Sequence, residues 1–448
     1  MSRGFESHAL RRIRRLYLQF NERIRVSDQL RPRSKRSKQI SPIARHGRLK
    51  RSNAFANVAK VLAAALAVVL VSGASVAALA TLNVASSIKE GIALPGETEG
   101  PAPTIDSIDG GANLLLVGSD SRVGQGDGYG DPEVETSVLN DVTMLLHIAE
   151  DHSSATVVSF PRDTFVPIPA CTGPDGEEYS AMSSQKINTT LNYGGLSCTV
   201  ETVQELTGLP IQYASLIQFN GVAAMSEAVG GVPVCIAEPI EDPRTDLNLA
   251  AGEHELKGLE ALQFLRTRYG VGDGSDLGRI SNQQVFLSSL VRTLKSAETL
   301  SDPIKLYSIA KAAVDNMELS NSLQSMDTMV SIAMALKDIP LENVVFVQYP
   351  VFNVDGGLEP DPTEAANLIA TIEADLPPQL NSADAPFLSA PDPTAGATDV
   401  PVDPNAPVEE VPTEEAPVEE VPGAQGSNTF GQNAAEYTCS AGRPLADQ

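Results

Sequence analysis

Apolar residues along this chain gather into short, nearly continuous runs instead of strict alternation. The runs at 113–118, 142–148, 156–160, 214–219, 232–236 and 344–349 are bounded by Gly, Asp, Asn or Pro, the pattern of strands buried on both faces. Between them, apolar residues recur at helical spacing over 198–207, 222–229, 256–268, 282–295 and 363–373. Strands alternating with helices predict an α/β fold, a three-layer αβα sandwich with a central mixed sheet.

One apolar stretch differs in kind. Residues 61–82 (VLAAALAVVLVSGASVAALATL) are 22 positions without a charge, about 33 Å of helix at ~1.5 Å per residue, enough to cross a bilayer once. A cleavable leader ending at Ala78-Leu79-Ala80 is disfavoured, because sixty residues precede the apolar core and leaders are far shorter. Charge divides sharply around this stretch. Of the 448 residues, 32 are Lys or Arg and 57 Asp or Glu, yet residues 1–60 hold 17 basic and three acidic side chains, a net of +14, which leaves −39 for the rest. The positive-inside rule puts the arm in the cytoplasm and the acidic bulk outside the cell membrane, a single-pass topology. The arm's cluster Arg11, Arg12, Arg14 and Arg15 suits phosphates, but no nucleic-acid module accompanies it, so attraction to anionic lipid explains it and no nucleic acid is expected. Residues 83–110 read as a linker and 111–380 as the catalytic domain. Residues 381–448 are rich in Pro, Glu and Ala, with APVEEVP at 406–412 and again at 416–422; they predict a disordered acidic tail.

Candidate chemistry sits where the strands end. Asp120 follows the first run and Asp141 opens the second; two such carboxylates can converge on a hard divalent cation or be ordinary turn and capping residues. Arg162 follows the third run, and Arg266, Arg268 and Arg279 lie close together in sequence. Several arginines around one cavity imply a polyanion, since the guanidinium fork matches phosphate oxygens; surface salt bridges are the alternative. Arg266 and Arg268 would point about 200° apart on a regular helix, so both reach one site only if the helix ends there, as Gly270 suggests. His254-Glu255 lacks the second His of a zinc protease, and Gly124–Gly130 is neither a P-loop nor a dinucleotide fingerprint, reading instead as a mobile loop. His147, inside an apolar run, reads as a core histidine. The four cysteines lack zinc-ligand spacing. In an oxidising compartment Cys171 and Cys198, with 26 residues between them, are expected to pair, leaving Cys235 and Cys439 as a second pair across the tail.

The segments NLLLVGSDSR (113–122), NDVTMLLH (140–147), VSFPRD (158–163), KINTTLNYGG (186–195), GGVPV (230–234) and RTRYGVGDGSDLGRISNQQ (266–284), taken in order, resemble the LytR-CpsA-Psr family over roughly residues 111–375, and the Ala-rich, Cys-bearing style resembles its actinobacterial members. The resemblance implies a single-pass, outward-facing phosphotransferase that moves a glycopolymer, arabinogalactan or a teichoic-like chain, from a polyprenyl-pyrophosphate carrier onto peptidoglycan. It implies Mg2+ on Asp120 and Asp141, the pyrophosphate on Arg162, Arg266, Arg268 and Arg279 with Arg122 and Gln283 or Gln284 nearby, and a hydrophobic pocket for the polyprenyl chain. Asp276 and the metal-bound aspartates are its candidates for proton transfer. Two rival readings stand beside it: a pyrophosphatase that uses the same site to release the glycan phosphate to water, and a non-catalytic wall-binding or regulatory protein whose basic arm reaches a cytoplasmic partner. Two departures stand out. The family commonly has Arg-Ser-Asp-Thr where this chain has Leu139-Asn140-Asp141-Val142, and Arg where Asn282 stands, the latter removing one expected phosphate contact.

Overall fold

The computed structural model describes residues 91–97, 110–125, 138–174, 176–380 and 429–448, with isolated positions between 82 and 136 besides. The basic arm, the candidate span, most of the linker, Gly126–Gly130 and 381–428 lie outside the described residues. Among those described, no helix is long and apolar enough to cross a membrane.

In chain order the elements are β1 (Ala112–Ser119), β2 (Asn140–Ile148), β3 (Ala155–Phe160), β4 (Phe165–Ile168), β5 (Cys171–Thr172), β6 (Glu178–Tyr179), β7 (Met182–Lys186), α1 (Thr190–Thr207), β8 (Tyr213–Ile217), α2 (Phe219–Val229), β9 (Val232–Ile236), β10 (Ile240–Asp242), β11 (Leu247–Leu249), β12 (Gly252–Leu256), α3 (Gly258–Arg266), α4 (Asp276–Lys295), α5 (Ala297–Ser301), α6 (Pro303–Asn316), β13 (Met317–Leu319), α7 (Met326–Asp338), β14 (Val344–Gln348), β15 (Val351–Val354), β16 (Gly357–Pro360), α8 (Pro362–Glu373), β17 (Gly431–Asn433) and β18 (Cys439–Ser440). The central sheet runs β13-β8-β1-β2-β3-β14-β17. It is mixed, with β1 parallel to β8 and β3 parallel to β14 but both antiparallel to β2.

Successive side chains of the strands serve opposite faces. Leu115, Val117, Leu145, Val158, Val345 and Val347 pack with Leu196, Val200 and Val203 of α1 and Leu368 and Ile372 of α8. Their neighbours Leu114, Leu146, Val157, Val344 and Phe346 pack with Leu287 and Val291 of α4 and Ile332 and Ala335 of α7. Three layers follow, as the runs predicted. The run at 232–236 is the exception. It forms β9 of a separate sheet, β12-β9-β18, covered by Ala261 and Phe264 of α3 and Val285 and Phe286 of α4.

Two differences from the sequence-based expectation bear on the site. Helices α6 and α7 fill a stretch for which periodicity gave no element; only Val314 of α6 is buried, so its stripe is too narrow to register. The disordered tail, expected through residue 448, is corrected at its end. Residues 431–433 pair with β14 at the sheet edge, 439–440 pair with β9, and Cys439 is bonded to Cys235. Cys171 and Cys198 form the other disulfide. That bond lies against Gly194, where a Cβ would collide with both cysteines.

Candidate active site

Because β2 runs antiparallel to β1 and β3, the C-terminal ends of β1, β3, β8 and β14 share one edge with the start of β2. Asp120, Asp141 and Arg162 all stand on it. A register shift at Gly118/Ser119 bends the end of β1, as bulges beside sites do. Asp120 then closes a two-way link, its N–H donating to Leu139 O at 3.0 Å and its Oδ1 accepting from Leu139 N at 2.6 Å. Gln348 at the end of β14 donates to Leu277 O and Ser281 Oγ, fixing the start of α4 against the same edge. Ser275 caps that helix by accepting from Gly278 N, which sets Asp276 in the first turn, where the helix dipole favours a carboxylate.

The centre is a knot of two arginines and two aspartates. Arg162 gives its backbone N–H to Asp276 Oδ2 at 3.0 Å and its Nη1 to Asp141 Oδ1 at 2.5 Å. Arg279, 4% exposed, places Nη2 2.7 Å from Asp276 Oδ1 and donates to Asp141 O at 2.9 Å. Burial works against the Arg162 charge, but Asp141 and Asp276 overcome it and raise its pKa. Burial wins at Arg279, whose pKa is lowered. Asp276 is 4% exposed and has both oxygens committed to arginine groups. It therefore pairs with both Arg162 and Arg279 on the lining of the polar cavity, where it also stands as the expected candidate for proton transfer.

Two cavities meet at this knot. One, of about 250 Å³, is walled by Leu116, Met144, Val222, Met225, Leu262, Phe286 and Leu290, with Asp141, Arg266, Arg279 and Gln283 also on its lining. Arg279 and Leu294, near opposite ends of α4, both line it. The other, of about 460 Å³, is polar and lined by Arg162, Asp163, Lys186, Arg268, Asp276 and Asn353 among others. Helix α3 ends at Arg266, as the argument from Arg266 and Arg268 required, and Thr267 is extended. Arg266 stacks on Phe219 at 4.2 Å in the apolar cavity, while Arg268 enters the polar one and donates Nε to Gly274 O at 2.9 Å.

The remaining expected residues divide. Arg122 lies close enough to Asp120 to lower its pKa. Gln283 donates to Leu265 O on the apolar lining. Gln284, one position on, is buried and lines neither cavity. Asn282 is buried as well, bonded to Phe264 O and to Ser440 Oγ; where an arginine was expected, a structural amide stands. Asn140 is tied to Thr143 and Thr190. His147 lies at the opposite sheet edge between Asn113 and Asp375, a core residue as expected. Sequence reasoning passed over Asp163 and Lys186, paired at 2.9 Å on the polar cavity. Burial would raise Asp163, but Lys186 and Arg162 bring it below the usual carboxylate value. Their signal was their place beside Arg162 and at the head of KINTTLNYGG.

The carboxylates of Asp120 and Asp141 suit a hard cation in chemical type. Burial, with Asp141 adding, raises the Asp120 pKa, a strain that a cation between them would relieve. No group of three or more candidate ligands converges among the described residues, so water or ligand phosphate would have to complete the shell, as Mg2+ commonly requires.

The family model described as LytR_cpsA_psr matches residues 77–367. The chain belongs to the LytR_cpsA_psr family. Within the family it is similar to Cell wall biosynthesis protein LcpA of Corynebacterium glutamicum, 30% identical over 274 residues, 56% of this chain and 52% of the relative. A second relative, Probable cell wall biosynthesis protein LcpB of the same organism, is 35% identical over 46% of this chain and 47% of its own length. The chain thus spans about half the length of these two curated relatives. Polyisoprenyl-teichoic acid–peptidoglycan teichoic acid transferase TagT of Bacillus subtilis is 26% identical over 63% of this chain and 88% of TagT. Among solved structures, the LytR-Csp2A-Psr enzyme from Actinomyces oris aligns at 20% identity and TM-score 0.46, covering 63% of this chain and 97% of that one.

Proposed function

We propose that the protein is a phosphotransferase that moves an anionic glycopolymer from a polyprenyl-pyrophosphate carrier to peptidoglycan. The observation that carries the reading is the knot itself, a buried Arg279 and a partly exposed Arg162 between an apolar cavity and an open polar one. An amphiphile with a hydrocarbon chain, a pyrophosphate head and a sugar beyond it matches that order of environments. The printed names of LcpA and TagT, a cell wall biosynthesis protein and a teichoic acid transferase, support it. The candidate span at 61–82 would anchor the domain on the outer side of the cell membrane, where the acceptor is.

In this reading Arg162, Arg268 and Arg279 bind the pyrophosphate and stabilise charge developing on the departing polyprenyl phosphate. Arg266, held on Phe219, closes the polar end of the apolar cavity. Asp120 and Asp141 would hold Mg2+, which when bound supplies Lewis-acid stabilisation of the phosphate oxygens. The acceptor's sugar hydroxyl reaches the phosphorus next to the glycan from the polar cavity, whose Asp163 and Lys186 orient it. The new O–P bond forms as the P–O bond to the polyprenyl phosphate breaks, and the hydroxyl proton passes to Asp276 or to Asp120 or Asp141.

The test is transfer from a lipid-pyrophosphate glycan to added peptidoglycan, with a thermal melt for each variant. Arg268→Ala is expected to lose a charge-assisted contact of roughly 1.5 to 3 kcal/mol, about ten- to hundredfold in affinity or rate. Arg162→Lys should recover little of the loss in Arg162→Ala, because a point charge cannot copy the fork. Glycan phosphate released to water with none transferred would replace the ligase by a pyrophosphatase. Near-wild-type transfer by folded Asp141→Ala and Arg268→Ala would overturn these residue roles, and a wild type that neither transfers nor releases glycan would leave the non-catalytic reading.

A further inference from the structure

Arg268 sits on the segment between α3 and α4, residues 267–275, which has glycines at 270, 272 and 274. Such a segment has much backbone freedom to lose, and an arginine borne on it binds a polyanion well only if something outside the segment holds it. What holds it is the end of the chain. Leaving β18, the main chain runs beside the segment: Gly272 N donates to Ala441 O at 3.2 Å, Val271 bridges with Gly442, and Arg443 N donates to Gly270 O at 2.8 Å. The Arg443 guanidinium then lies over Gly274, where any Cβ would collide with it. The carbonyl of Gly274 is the one that accepts from Arg268 Nε.

A second line of contact starts one turn of chain earlier. Ser440 Oγ donates to Asn282 Oδ1, and Asn282 Nδ2 donates to Phe264 O at 2.8 Å, two residues before Arg266. The same few residues thus reach the backbone on either side of Arg266 and Arg268, directly at 270–272 and through Asn282 at Phe264. Their own seat is closely fitted. Gly442 lies against the carbonyls of Glu238 and Pro239 with no room for a Cβ, and Cys439 is bonded covalently to Cys235.

We propose that residues 439–443 are a strap that positions the Arg268 segment, and that Arg443 is a positioning residue for pyrophosphate binding. The functional half of the proposal rests on the phosphotransferase reading; the mechanical half does not.

Two measurements on the full chain separate them: amide hydrogen exchange over 268–275, and binding of inorganic pyrophosphate with Mg2+ present. In Arg443→Ala, exchange at 270–274 should quicken while the melt and the Cys235–Cys439 bond stay as in the wild type, and pyrophosphate should bind about tenfold more weakly. Arg443→Lys should restore part of the affinity, which a variant that merely loosened the fold would not show. Gly442→Val, which lifts the strap from its seat without touching Arg443, should reproduce both effects. Unchanged exchange in Arg443→Ala and Gly442→Val overturns the strap. Faster exchange with unchanged affinity overturns the positioning role. A wild-type protein that fails to bind pyrophosphate defeats the phosphotransferase reading, and the exchange result then still decides the strap.

Discussion

The two cavities that meet at Arg162 and Arg279 are built from different materials, and the difference shows how one knot of charge can serve both. The apolar cavity is walled by helices: α2, α3 and α4 supply Val222, Met225, Leu262, Leu265, Leu290 and Leu294, and the strands add Leu116 and Met144. Its shape is set by packing, which resists small changes. The polar cavity is walled at element ends and in the chain between them: Arg162 and Asp163 after β3, Lys186 at the end of β7, Arg268 and Asp273 before α4, Asp276 and Leu277 at its start, and the β15–β16 hairpin. Its shape is set by hydrogen bonds and ion pairs, which must be complete to hold. Asp276 belongs to both arrangements, since it binds the arginine of each side.

The heaviest blow to this comparison is therefore Asp276→Ala. It strands the buried Arg279 guanidinium and leaves the Arg162 backbone N–H without its acceptor, and is expected to destabilise by about 3 to 5 kcal/mol and to abolish transfer. Denaturant unfolding reads the first effect. A loss under 1 kcal/mol would show that the knot does not join the two sides. Next comes Val222→Phe, which adds volume to the packed wall at a cost of about 1 to 3 kcal/mol. Long-chain lipid donors should turn over about tenfold more slowly, with pyrophosphate affinity unchanged; equal slowing of short-chain donors would count against separate cavities. The smallest effect is at the far sheet edge. Burial pushes His147 below its ordinary value, against the pull of Asp375. The unfolded chain then binds the proton first, so His147 lowers stability as pH falls through 6.5 toward its folded value, and adds nothing above. Melts of His147→Gln should flatten that slope while leaving transfer untouched.

Sequence revealed the apolar half of this architecture far better than the polar half. The strands could be read because the sheet is covered on both sides, so that Leu114 and Leu115, or Val157 and Val158, are both apolar though they face different helices. Asp120, Asp141 and Arg162 could be read because each ends or opens such a run. Arg266 and Arg268 could be placed together, but not assigned to separate cavities, since that depends on the extended Thr267. The strap could not be read. Its residues are Ser, Ala, Gly and Arg, with no apolar period, and they dock through main-chain hydrogen bonds that any sequence can make. Cys439 was the sole pointer, and it named a partner without naming a place. Asn282 was legible as a departure from the family pattern, and only its bond to Ser440 explains why an amide belongs there.

Leu380 and Thr429 are bridged side by side, so the chain leaves the folded unit and re-enters it at one point. The 48 residues between them form an excursion whose two ends are already joined. Closing such a loop costs only about 0.6 kcal/mol more for each doubling of its length. Chain inserted between two joined ends therefore costs little at almost any length, whereas the twenty residues that follow are bound by the sheet edge, a disulfide and the arginine segment. In this protein tolerance for added chain is concentrated at one closed point, and the residues beyond that point are fastened into the fold.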